Sequence, residues 1–218
     1  MIYMYTGTPG AGKSLHVAKE IRDHLRFGAF VISNFPINVD KIRLHKNSSF
    51  LYLDNAFLLD PGAPAKIQQM FQEHRKEHDK TRCLLVLDEC QLLFDSRQWD
   101  RPGRTEWLAF FTLHRHVMRN RKHDGTIILV TQNEKAIDKR LLPLSEYYVA
   151  HRNLKYGSMS EFLLSLLFGC NLFVQRTVWR PGKEKVSAGL FVGTRKLFEL
   201  YDTSLLFATD DGEGQPEG

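Results

Sequence analysis

Short apolar runs alternate with amphipathic stretches over the first 150 residues of the chain. An apolar run bounded by glycine or polar residues predicts a buried strand, and apolar positions recurring every three or four residues predict a helix. Strands and helices that alternate in this way favour a mainly parallel sheet with right-handed crossovers and flanking helices. The predicted strands are 2–6, 30–33, 51–53, 83–87, 127–130 and 147–150, and the predicted helices are 14–27, 64–79, 107–122 and 134–142.

The pattern changes after Asn153. Residues 159–174 are mostly apolar, but they are interrupted by polar residues and are too few to span a bilayer, which takes roughly 20 apolar residues. We therefore expect a buried or interfacial segment, followed by a β-hairpin built from residues 173–179 and 190–194. The predicted organisation is a core domain of residues 1–153, an appended subdomain of residues 154–209, and a flexible tail or linker of residues 210–218.

Composition narrows the class of protein. The chain has 218 residues, of which 43% are hydrophobic and 25% charged, values that exclude a disordered, collagenous or coiled-coil protein. Its three cysteines form no C-x-x-C pair, so neither a disulfide scaffold nor a structural zinc site is predicted. The N-terminus lacks the basic region of a signal peptide.

Charge is clustered, although its sum is modest. The net charge of +5 does not by itself establish a nucleic-acid partner. Residues 97–122 contain seven basic and two acidic side chains, and residues 152–196 contain eight basic and two acidic side chains. Such clusters attract phosphates or an anionic lipid surface, but a solvated face explains each of them equally well.

A glycine-rich segment follows the first predicted strand and matches G-x-x-x-x-G-K-[ST] at every defined position. In this motif glycines let successive backbone N–H groups turn onto the phosphates of a nucleotide, and the following helix directs its positive end at the same anion. The lysine reaches the β- and γ-phosphates, and the terminal hydroxyl binds Mg²⁺. The predicted phosphate-binding residues are Gly7, Thr8, Pro9, Gly10, Ala11, Gly12, Lys13 and Ser14.

Two adjacent carboxylates end the apolar strand at residues 83–87. Ligands of open α/β sheets bind beyond the carboxyl ends of parallel strands, so both acids are expected beside the phosphate loop. Asp88 is the expected second magnesium anchor, and Glu89 is the expected general base for the water that attacks the γ-phosphate. A carboxylate beside the metal anchor favours hydrolysis over phosphate transfer to a small molecule.

Two further groups are candidates for the same site. Gln132 follows the strand at 127–130 and is the expected sensor of the γ-phosphate or the attacking water, with Thr131 and Asn133 as alternates or as helix-capping residues. Arg119 or Arg121 is a candidate arginine that completes a neighbouring subunit's site, or else binds a polyanion or is solvated.

Several of these segments, in this order, resemble the N-terminal ATPase domain of the zonula occludens toxin (Zot) family, the assembly ATPases of filamentous phages. The resemblance covers nearly all of residues 1–205. It rests on the phosphate loop, Phe30–Asn34, Leu87–Glu89, the basic segment before Thr131-Gln132, Ile137-Asp138-x-Arg140 and Tyr201–Ser204.

The resemblance implies a P-loop NTPase fold and an ATPase with ATP and Mg²⁺ as cofactors. It also implies a homo-oligomeric ring at the cytoplasmic face of the bacterial inner membrane that powers phage extrusion. The implied partners are a phage coat protein, phage DNA and a secretin channel. Family members continue into a transmembrane helix and a periplasmic domain, so membrane association is expected through a segment outside this sequence.

Three other functions compete with phage extrusion. The nearest is a DNA-packaging or DNA-translocating ATPase, whose hydrolysis DNA would stimulate. A small-molecule kinase would transfer the γ-phosphate to an acceptor. A nucleotide-binding switch or scaffold would bind ATP with negligible turnover.

Overall fold

The computed structural model describes residues 1–78, 80–98, 100–119 and 125–201. Within these ranges eight strands form one sheet in the order β3-β2-β4-β5-β1-β6-β7-β8. The first six strands in chain order are mutually parallel, whereas β7 and β8 are antiparallel to their neighbours. The strands are β1 (Ile2–Thr6), β2 (Ala29–Ser33), β3 (Ser49–Tyr52), β4 (Arg82–Leu87), β5 (Thr126–Val130), β6 (Tyr147–Asn153), β7 (Leu172–Trp179) and β8 (Glu184–Val192).

Alternate side chains of each central strand point to opposite faces of the sheet and belong to two separate apolar cores. Both faces are therefore covered by helices. Ile2, Met4, Leu85 and Leu87 face the core that also contains buried residues of the helices between β3 and β5. Tyr5 belongs to the second core, on the face covered by the first and last helices. The helices are α1 (Lys13–Arg26), α2 (Asn55–Leu59), α3 (Ala63–Glu77), α4 (Gln91–Phe94), α5 (Arg104–Met118), α6 (Met159–Leu166) and α7 (Arg195–Phe198).

The strand register brings three chain segments to one edge of the sheet. Tyr5 pairs with Val130, and Leu129 pairs with Leu87, so β1, β5 and β4 end at the same level. The strand β5 lies between the other two. The connections that follow these three strands therefore meet at this edge, which positions the predicted site.

The predicted helix at 134–142 is wrong. Residues Glu134–Ala136 and Leu142–Leu144 form short 3₁₀ turns, and Ile137 makes an isolated antiparallel bridge with Asp95. The backbone N–H of Asp138 donates to the carbonyl of Phe94, which ties the segment to the end of α4. Tertiary backbone pairing replaces the helical hydrogen bonds that the apolar spacing predicted.

The predicted hairpin is present and is longer than its pattern indicated. Its strand β7 pairs along its length with β6, so the hairpin continues the main sheet. The segment before it is not buried throughout, because Leu163 and Leu167 of the α6 region are 55% and 80% exposed. The division of the chain at residue 153 stays a prediction, and the predicted tail at 210–218 lies outside the described residues.

Candidate nucleotide-binding site

The glycine-rich segment forms the connection between β1 and α1. Gly7 adopts φ +148° and Gly12 adopts φ +92°, conformations that side chains with a Cβ rarely adopt. A Cβ at Gly7 would lie 2.7 Å from the carbonyl oxygen of His151, and a Cβ at Gly12 would lie 2.5 Å from the Phe173 ring. Local backbone and close packing therefore both require glycine at these two positions.

Lys13 is the first residue of α1 and is largely buried, with its side chain folded over the loop. Its ammonium group donates to the carbonyl oxygens of Gly7, at 2.7 Å, and Thr8, at 3.2 Å. Burial lowers the pKa of Lys13, and the nearby charges of Glu89 and Asp88 partly offset this effect. Because β1 and β4 end at the same edge of the sheet, the predicted acid pair lies at the edge that carries Lys13, and its charge acts on that of Lys13.

The carboxyl end of β4 presents Asp88 and Glu89. Successive side chains of an extended strand point to opposite faces, but Glu89 adopts a left-handed conformation with φ +45°. Its backbone N–H donates to Oδ1 of Asp88 at 2.9 Å, which closes a tight turn. The chain therefore leaves the strand at this point, and both acids remain beside the phosphate loop.

Burial raises the pKa of Asp88 to about 6, and the Glu89 charge adds to this effect, whereas the Glu89 backbone N–H and Lys13 oppose it. A carboxylate in this environment is stabilised by a cation. The residues fit a magnesium ion, because Mg²⁺ prefers oxygen ligands and both Ser14 and Asp88 supply them.

The Tyr201 side chain connects Ser14 with the acid pair. Both residues line one cavity beside the loop. Burial raises the Tyr201 pKa, the Ser14 side chain lowers it, and the charges of Asp88 and Glu89 raise it further. The phenol group thus adjoins one expected magnesium ligand, Ser14, and is influenced by the charge of the other, Asp88.

Gln132 contacts Glu89 directly. Its side-chain amide donates to Oε1 of Glu89 at 2.8 Å, and the amide of Gln91 donates to the other carboxylate oxygen. The alternates serve the local turn instead, since Thr131 bonds the backbone of Asn133 and the Asn133 side chain accepts from the Lys135 N–H. The geometry thus brings Gln132, rather than its neighbours, to the expected general base.

Asn34 is a site residue that the sequence pattern did not single out. It follows β2, and its side chain accepts from the Asp88 N–H at 2.6 Å and donates to the Asp88 carbonyl at 3.0 Å. The same amide also donates to Asn55 at 2.8 Å. Its place directly after a buried strand is the signal that could have identified it, because β2 pairs with β4.

The structure does not bring Arg119 to the phosphate loop of its own chain. Arg119 directly follows α5, whose last residue, Met118, packs against Gly125 just before β5, and the Arg119 carbonyl accepts from Arg75. The start of β5 adjoins Met1, at the opposite edge of the sheet from the loop. Arg121 lies outside the described residues. Either arginine stays a prediction for a neighbouring subunit.

The basic cluster at 97–122 is not one solvated face. Arg104 is buried, and its guanidinium donates to the carbonyl oxygens of Leu93 and Gln98, each at 3.0 Å. It also lies 3.5 Å from the Asp138 carboxylate. This arginine therefore holds neighbouring loops together and is not available to an external polyanion.

Two cavities adjoin the phosphate loop. One, of about 640 Å³, lies beside Gly7, Thr8 and Gln132 and is bordered by Lys135 and Lys139. The other, of about 430 Å³, lies beside residues 10–15. A ligand on the loop can thus extend in either direction.

The chain has a phosphate loop after its first strand and an acid pair two strands away, and the intervening strand is followed by Gln132. This arrangement is that of a P-loop NTPase fold. The family described as zonular occludens toxin (Zot) matches residues 1–166, and the chain belongs to this family. The described parts of the chain contain no helix long and apolar enough to cross a membrane.

Curated relatives are Gene 1 proteins of phages. Those of Enterobacteria phages I2-2 and M13 are 27% and 26% identical, over 96% and 98% of this chain. The chain spans 58% and 62% of the length of these two proteins.

Solved structures have the same fold. The N-terminal domain of zonular occludens toxin from Neisseria meningitidis matches with a TM-score of 0.50 and 18% identity, over 92% of this chain and 98% of that one. The genome packaging NTPase B204 of Sulfolobus turreted icosahedral virus 2, in complex with ATP-gammaS, matches with a TM-score of 0.53 and 14% identity, over 88% and 97%.

Proposed function

We propose that this chain is the Mg²⁺-dependent ATPase motor domain of a filamentous phage assembly protein that works at the cytoplasmic face of the host inner membrane. The observation that carries the proposal is the shared edge of the sheet, where the phosphate loop with Lys13 follows β1 and the acid pair Asp88 and Glu89 follows β4. Membership of the Zot family and the phage Gene 1 relatives support the biological context.

The chain's own residues divide the work of hydrolysis. The loop N–H groups and Lys13 would hold the triphosphate, and Ser14 and Asp88 would bind the Mg²⁺, which neutralises charge on the phosphates. Glu89, held by Gln132 and Gln91, would accept a proton from the attacking water. Gln132 would sense the same water through its hydrogen bond to Glu89.

Paired variants test this assignment. Lys13→Ala is expected to abolish ATP binding, because it removes the cation that meets the β- and γ-phosphates. Glu89→Gln is expected to keep binding and lose hydrolysis by about 10²-fold or more. Glu106→Gln, an exposed carboxylate on α5, is the matched control and should hydrolyse ATP as the wild type does. Wild-type phosphate release by Glu89→Gln would remove Glu89 from the role of base.

We also propose the homo-oligomeric ring that the family resemblance implies, and it has a separate test. If a neighbouring subunit supplies an arginine, the specific ATPase activity of the wild type should rise with protein concentration, and Arg119→Ala or Arg121→Ala should lower its plateau. Specific activity that is constant over the range in which the protein assembles would contradict a shared site.

A DNA-translocating ATPase is the second candidate, because the basic cluster at 152–196 provides charge for phosphates. This alternative predicts that DNA stimulates hydrolysis and that the stimulation falls steeply with salt. A motor that moves coat protein would hydrolyse ATP without that response.

A further inference from the structure

The cavity of about 430 Å³ beside the phosphate loop has an aromatic outer wall. One side is the loop and the start of α1, residues 10–15, and the other side is formed by Phe173, Phe198 and Tyr201. Its volume lies within the range of roughly 300–1,000 Å³ that is usual for small-molecule sites. A ligand with its phosphates on the loop would therefore meet three aromatic rings next.

Each ring is supported from behind. Phe173 is buried and stacks on Phe191 with centroids 5.2 Å apart. Tyr201 stacks on Phe35 with centroids 4.6 Å apart and an interplanar angle of 15°. Phe198 packs so closely on Gly193 that a Cβ there would lie 2.8 Å from the ring. The wall is thus held in place by the fold.

Phe198 is the ring with most free surface, since it remains 40% exposed while it lines the cavity. Exposed aromatic surface at the wall of a cavity is a stacking platform for a planar ligand, because every nucleobase presents a π-face. The polar side chains of the described lining are few, namely Lys13, Ser14 and Tyr201. These features favour recognition of ring faces over recognition of base edges.

We propose that this cavity binds the base and ribose of the nucleoside triphosphate, with the base stacked on Phe198 beside Tyr201, and that the site accepts adenine and guanine with similar affinity. This inference rests on the proposed function, because it requires the triphosphate to lie on residues 7–14. It extends that function by assigning the nucleoside to the α7 side of the loop.

The test compares ligands that share phosphates and differ in the base. Binding of ATP, GTP and inorganic tripolyphosphate is measured by calorimetry with Mg²⁺ for the wild type, Phe198→Ala and Phe198→Tyr. Phe198→Ala should weaken ATP and GTP about 10-fold and leave tripolyphosphate within about twofold. Phe198→Tyr should bind all three as the wild type does, because it keeps a ring.

A matched control removes an exposed phenylalanine ring that lies far from the cavity, so that an effect specific to the cavity can be distinguished. Phe27, 74% exposed at the far end of α1, lies roughly 20 Å from Lys13 along a helix that rises about 1.5 Å per residue. Phe27→Ala should leave all three affinities unchanged. Thermal unfolding of each variant establishes that it is folded before binding is measured.

Three results would overturn the proposal. Wild-type ATP affinity in folded Phe198→Ala would remove Phe198 from the site. An equal loss of tripolyphosphate would mean that Phe198 shapes the loop rather than the base site. If the wild type binds one of ATP and GTP more than about 10-fold more tightly than the other, the site recognises the edges of the base as well as its face. Failure of the proposed function looks different, because then the wild type would bind neither tripolyphosphate nor ATP.

Discussion

Replacement of Asn34 by alanine is expected to destabilise both the protein and its proposed magnesium site. The Asn34 side chain is almost fully buried, and it pairs with both the N–H and the carbonyl of Asp88. It therefore continues the β2–β4 pairing at a point where the backbone of Asp88 turns away from the sheet. Alanine would leave both backbone groups of Asp88 without this partner.

The size of the effect follows from those contacts. A net hydrogen bond contributes about 1 kcal/mol, and a buried group left unsatisfied costs about 1–3 kcal/mol. Loss of the two bonds to Asp88 thus predicts a decrease of about 2–4 kcal/mol in the free energy of unfolding. Asn55→Ala, which removes only the exposed partner of Asn34, should cost less than about 1 kcal/mol.

Urea unfolding without nucleotide measures both variants, and Mg²⁺-dependent ATP hydrolysis then measures the site. We expect Asn34→Ala to need more Mg²⁺ for half-maximal activity, because Asp88 loses the support that positions it. If Asn34→Ala is no less stable than Asn55→Ala, the two hydrogen bonds from the Asn34 side chain to Asp88 do not stabilise the fold.

Two further predictions concern the surroundings of the loop. Burial lowers the pKa of His151 to about 3. Between pH 3 and about 6.5 the unfolded chain therefore binds more protons than the folded chain. As pH drops through this range, the free energy of unfolding should fall by up to about 1.4 kcal/mol per pH unit. His151→Gln should flatten this slope in urea unfolding, whereas His116→Gln, on the exposed face of α5, should not; an unchanged slope in His151→Gln would contradict the assignment. Gly12→Ala should lower the melting temperature more than Gly10→Ala. Alanine at either position must adopt a left-handed backbone, which costs about 1–2 kcal/mol of stability, but only a Cβ at Gly12 would also clash with the Phe173 ring. Equal melting temperatures of these two variants would mean that the Phe173 ring moves aside without loss of stability.

The central strands could be predicted from the sequence because they are buried on both faces. Continuous apolar runs such as 83–87 follow from that burial, and the structure confirms the strand there. The predicted helix at 134–142 fails for the opposite reason. Its backbone groups pair with the end of α4, a contact between distant segments that local spacing does not encode.

The same distinction applies to the candidate site. The phosphate loop is contiguous, so its motif can be found in the sequence. The acid pair and Gln132 follow from the rule that parallel strands end at one edge. Asn34 acts only through the pairing of β2 with β4, and Phe198 and Tyr201 reach the loop from more than 180 positions away. No local pattern marks such residues.

The left-handed backbone conformation of Glu89 sets thermal stability against the proposed catalytic role of this residue. A non-glycine residue in this conformation costs about 1–2 kcal/mol, and asparagine or glycine would adopt it more readily. Substitutions that optimise thermal resistance alone would therefore favour Glu89→Gly or Glu89→Asn, and either would remove the carboxylate. A laboratory screen for heat tolerance should accordingly enrich sequences that lack the proposed general base at this position.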